Sequence, residues 1–82
     1  MAAFSHQLIE EARSAFIEGD YATAEPILNQ PTLLNSKNPE VLQMLATIYY
    51  DQGKFNKAIA TFKRALEIEP GYTDAAVGLS II

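Results

Sequence analysis

Residues 38–70 read NPEVLQMLATIYYDQGKFNKAIATFKRALEIEP, and their periodicity decides the fold. Leu42, Leu45, Ala46 and Tyr49 recur at i, i+3, i+4 and i+7, the spacing that lines one face of an α-helix. Phe55, Ala58, Ile59, Phe62, Ala65 and Leu66 repeat the pattern on a second stretch. Between them, Asp51-Gln52-Gly53-Lys54 reads as a turn, because Gly53 can enter the left-handed region that ends a helix. Asn38 before Pro39 is an N-cap followed by a first-turn proline, and Pro70-Gly71 is a stop signal. The stretch is predicted to form a helical hairpin.

A shift of 34 positions superimposes the chain on itself. Gly19 falls on Gly53, Tyr21 on Phe55, Ala24 on Ala58, Leu8 on Leu42, Ala12 on Ala46 and Leu28 on Phe62. The same shift carries Leu42 to Ala76, Leu45 to Leu79 and Ala46 to Ser80. The expected organisation is a single domain over residues 1–82, with hairpins at Ser5–Asn38 and Pro39–Tyr72 and the first helix of a third at Thr73–Ile82.

A unit of this length with Leu42, Leu45-Ala46, Tyr49, Gly53, Phe55, Ala58, Phe62, Ala65 and Pro70 at these places resembles the tetratricopeptide repeat. The resemblance covers essentially the whole chain. It implies an all-α fold of tetratricopeptide-type hairpins stacked as a right-handed superhelix, two repeats plus one further helix. Ala46, Ala58 and Ala65 are small where helix axes approach, and Tyr49, Phe55 and Phe62 are expected to fill the space between hairpins. A hairpin that cannot bury both faces alone stacks on its neighbour, leaving a concave surface made by the first helix of each repeat.

That surface is where the resemblance places a partner. By register the first repeat contributes His6, Ile9, Arg13, Phe16 and Ile17, and the second contributes Glu40, Gln43, Thr47, Tyr50 and Asp51. The partial third adds Asp74, Val77 and Ile81, with Met44 and Gly78 beside the surface. Ile9, Ile17 and Val77 have an alternative role, packing between neighbouring first helices. The apolar strip suits the apolar face of an amphipathic helix or an extended segment with apolar anchors. Glu40, Asp51 and Asp74 would favour a partner with basic character. Family members that clamp a C-terminal carboxylate use lysines and asparagines at positions that here hold Ile9, Arg13, Met44, Asp74 and Gly78; only Arg13 suits a carboxylate, so capture of chaperone tails is not expected. The expected function is a protein–protein interaction scaffold, with a self-associating module pairing through the apolar residues 77–82 as the alternative.

The first repeat departs from the pattern. Pro31 stands at the small position of Ala65, and Pro26 lies five residues into the second helix, removing a backbone hydrogen bond at a cost of about 3 kcal/mol in a regular helix. That helix is expected to be short or kinked near residues 22–26 and to end around Gln30, with a separate turn from Pro31. Glu11 replaces Leu45, so this face of the first helix is expected to be exposed. At the other end Val77, Leu79, Ile81 and Ile82 leave an apolar terminus, to be met by further repeats, a partner or a second copy.

Composition excludes other functions. The net charge is −4, from ten acidic and six basic side chains, whereas nucleic-acid and anionic-membrane binders present a basic field. Lys54, Lys57, Lys63 and Arg64 are expected to form a polar convex face, with Lys63 and Glu67 paired along the helix. There is no cysteine, so thiolate chemistry and disulfides are excluded. His6 is the only histidine, Glu10 and Glu11 point about 100° apart, and no phosphate-loop motif occurs. No catalytic, cofactor-binding or metal-binding residues are expected. The N-terminus lacks the basic start and apolar run of a signal peptide, and a cytoplasmic location is expected.

Overall fold

A computed structural model describes residues 2–80, with the side chains of residues 6–73 and 75–80. Six helices follow in order: α1 (Ala2–Ile17), α2 (Tyr21–Leu28), α3 (Pro31–Leu34), α4 (Pro39–Asp51), α5 (Phe55–Ile68) and α6 (Thr73–Ser80). There is no strand among the described residues. Tyr21 and Phe55, the first residues of α2 and α5, and Pro39 and Thr73, the first residues of α4 and α6, stand 34 positions apart.

Local chemistry sets the helix ends. The Asn38 side chain accepts the Glu40 amide at 2.9 Å and Pro39 occupies the first turn, opening α4. Asp20 accepts the Thr23 amide at the start of α2. Gly19 and Gly53, with φ of 80° and 79°, terminate α1 and α4 in the left-handed region. Pro26, inside α2, has no N–H to give to the Ala22 carbonyl, and α2 closes at Leu28. Gln30 and Pro31 then open the four-residue α3, so the second helix of the first hairpin is short and is followed by a separate turn, as the two prolines imply.

The helix pairs α1–α2 and α4–α5 pack as hairpins, and α6 rests on α5 and α4. Helix α4 lies at the centre because it is apolar on two faces. Val41, Met44, Leu45 and Ile48 join Ile9, Ala12, Ala15, Ala24, Leu28 and Leu33 in a first core cluster. Leu42 and Ala46 join Ala58, Phe62, Ala65 and Ala75 in a second. At about 25 cal/mol per Å² of apolar surface buried, these clusters supply the main drive to fold.

Two expectations need correction. Met44 and Gly78 do not lie beside an open surface: Met44 is 2% exposed, in the seam between the two hairpins, and Gly78 is buried against the Phe62 ring. Phe55 does not fill the space between hairpins: it is 49% exposed, because no described element reaches over it. Its counterpart Tyr21 is partly covered, with Asp51 of the second hairpin bound to its hydroxyl. Glu11, in contrast, is exposed as its charge requires.

Candidate partner-binding surface

The first helices form a row, α4 packing against α1 on one side and α6 on the other. An ion pair ties the first two together. Arg13 donates from Nε to Glu40 Oε2 at 2.8 Å and from Nη2 to Glu40 Oε1 at 2.6 Å, a two-pronged fork across 27 residues of sequence. Its remaining Nη1 meets Glu10 one turn back on α1. Hydrogen bonds from Arg13 hold the Glu40 carboxyl below the usual range against the opposing effect of partial burial. Those to Glu40 and then Glu10 drive the guanidinium further up. Glu40 is therefore answered within the chain, as is Arg13, which leaves neither free to pair with a partner. Asp51 is also engaged, by the Tyr21 hydroxyl; burial and then this contact push the tyrosine's pKa up. Of the acids expected to favour a basic partner, Glu40 is thus neutralised within the chain, whereas Asp51 is exposed and keeps its charge.

Apolar groups remain along the row. Ile17 is 75% and Val77 54% exposed. Phe16 and Tyr50 are half-buried and occupy equivalent places. Phe16 stacks on Tyr21 with centroids 5.5 Å apart, and Tyr50 meets Phe55 edge-on at 5.4 Å. Each ring is thus backed by the first residue of the following helix and cannot fold away. Gln43 and Thr47 are linked at 3.2 Å, and the Thr47 hydroxyl also donates to the Gln43 carbonyl, so both are partly self-satisfied. His6 is exposed.

Ile9 is 7% exposed and belongs to the first core cluster, so it takes the packing role rather than the binding one. Ile81 lies outside the described residues, as does the side chain of Asp74. Lys54, at the N-cap of α5, and Lys57, in its first turn, reach 6.0 Å and 5.7 Å from the Tyr49 ring centroid, a cation–π arrangement. The expected Lys63–Glu67 pair is not formed: among the described residues the ion pairs are those of Arg13 with Glu10 and Glu40.

Sequence reasoning missed two features. The face of α4 carrying Val41, Met44 and Ile48 was legible in its i, i+3, i+7 spacing, set against Gln7, Glu10 and Ser14 on α1, one repeat earlier. Lys37, at φ 57°, carries no sequence signal that distinguishes it from an ordinary turn lysine. Among the described residues no group of three or more His, Cys, Asp or Glu is placed to hold a metal, and no helix is long and apolar enough to cross a membrane.

The model of one family, the tetratricopeptide repeat, matches residues 15–76. No curated protein and no solved structure gives a significant match. With well over half of its residues matched, from the end of α1 into α6, the chain belongs to the tetratricopeptide repeat family.

Proposed function

We propose that this chain is a non-catalytic protein–protein interaction scaffold that holds an apolar-faced peptide or helical segment of a partner along the row α1, α4 and α6. The observation that carries this reading is the apolar set on those helices, Ile17 and Val77 exposed and Phe16 and Tyr50 half-buried. Apolar groups distributed along these helices, with Arg13 and Glu40 already paired to each other, favour an apolar anchor over an ionic one. Arg13, Gln43, Thr47 and Asp51 complete the surface as polar edges. The hairpins would stack as a right-handed superhelix, with this row as its inner wall.

The test begins with affinity capture by the intact chain, followed by titration of the captured partner. Phe16→Ala and Tyr50→Ala should each weaken binding about tenfold or more, as truncated aromatic anchors do, while circular dichroism stays helical. Unchanged affinity with the fold retained would remove the row from the interface. The exposure of Val77 favours a second reading, self-association through residues 77–82. A concentration-dependent mass in sedimentation, lost on Val77→Ser, would select it.

A further inference from the structure

We propose that the groove between α3 and the C-terminal half of α5 is a second docking surface, which takes an acidic partner segment carrying an apolar side chain. The groove has a volume of about 500 Å³ and lies open to solvent, with Leu34, Asn35 and Lys37 on one wall and Arg64, Glu67 and Ile68 on the other. It lies on elements outside the row of first helices and does not depend on the reading above.

The break at Pro31 opens this space. Helix α3 packs against α1, α2 and α4 but not against α5, so the two walls face each other across a gap. Leu34 packs against both core clusters, and Ile68 is exposed beside it, giving an apolar lining. Lys37 and Arg64 place one cation on each wall, and among the described residues neither takes part in an ion pair. Glu67 is the one acid in the lining, so the groove is locally positive in a chain of net charge −4.

Lys37 sits in the turn after α3 with φ of 57°, in the region that favours glycine. The occupant follows from complementarity. Two unpaired cations over an apolar lining match carboxylates flanking an apolar side chain, and they repel a basic segment. No aromatic ring lines the groove, so it lacks the stacking platform of a single-stranded nucleic-acid site.

The test titrates the isotope-labelled full chain at low salt with an end-capped peptide of two leucines flanked by glutamates. The lysine-flanked counterpart and orthophosphate alone serve as the other arms. Amide shifts centred on Asn35, Lys37, Arg64, Glu67 and Ile68 are expected with the glutamate peptide alone. Lys37→Gly and Arg64→Gln should each weaken binding about three-fold and together about tenfold, as for partly exposed ion pairs. Glycine accepts the backbone at this position, so Lys37→Gly should raise the thermal midpoint while it lowers affinity. A fall in both would mark Lys37 as structural and overturn the proposal. So would shifts elsewhere, no shift at millimolar peptide, or equal shifts with orthophosphate or the lysine peptide. A concentration-dependent mass of the chain alone that the double variant abolishes would seat a second copy in the groove, and would equally overturn it.

Discussion

The two seams of this molecule, α1–α2 against α4 and α4–α5 against α6, solve one packing problem in opposite ways. At the first seam Leu28 and Met44 occupy the register positions that Phe62 and Gly78 occupy at the second. Two medium side chains are replaced by a large ring and an absent side chain. At Gly78 a Cβ would stand closer than van der Waals contact to three atoms of the Phe62 ring. Interiors pack to crystal-like density, and at the second seam the Phe62 ring occupies the space that Gly78 leaves without a side chain. Polar ties also differ. The first seam carries the Arg13–Glu40 fork, Tyr21 on Asp51, and Gln52 donating to Glu25 at 2.7 Å. The positions of Arg13 and Glu40 are held at the second seam by Thr47 and Asp74, which cannot form such a fork. The first seam is therefore fixed in orientation by charge and the second by shape.

Transplanting the second solution into the first seam should break it. Met44→Gly empties a fully buried position and puts glycine into a helix, at a combined cost of about 4 kcal/mol. In a chain of this length that approaches the whole stability. Urea unfolding measures it, and a loss below about 1 kcal/mol would mean that Met44 does not fill the seam. Adding Leu28→Phe to Met44→Gly, which completes the transplant, should recover part of the loss.

The reciprocal change is milder. Gly78→Ala drives a Cβ into Phe62, whose ring is enclosed by the second core cluster, with overpacking of about 2 kcal/mol offset by about 1 kcal/mol of better helix propensity. The net loss should appear as reduced hydrogen-exchange protection confined to α6. Phe62→Leu in the same chain should make the alanine tolerable, so the double variant costs less than the sum of the singles. Strict additivity would show that the ring and the glycine do not share one space.

How much of this was legible follows from which signals are local. Helix ends, the glycine turns and the short α2 were readable because Asn38, Gly19, Gly53, Pro26 and Pro31 act within a few residues of themselves. Ile9 was read as a surface candidate with a packing alternative, and packing won, because register names a helix face and burial depends on the neighbour's bulk. Phe55 was misassigned for the same reason in reverse: its motif position is interior only where a following element covers it. The Arg13–Glu40 fork joins residues distant in sequence whose meeting depends on the seam's offset, and no single-helix pattern encodes that.

That fork yields the smallest and most seam-specific effect. A carboxylate whose pKa is depressed in the folded state stabilises the fold above its unfolded value, about 4.3 for glutamate, and the contribution is lost as pH falls through the folded value. Glu40 is partly exposed, so solvent screening limits its share to about 0.5–1 kcal/mol. Glu40→Gln should thus lower urea stability by that amount at neutral pH, and the gap from the unaltered chain should close as pH falls through the depressed folded-state value of Glu40, where its side chain becomes neutral. Protection should fall at α1 and at the start of α4, where the fork is anchored, and stay unchanged at α6. A gap that persisted in acid would mean that the fork stabilises through packing of the Arg13 stem rather than through charge, and the contrast between a charge-fixed and a shape-fixed seam would disappear.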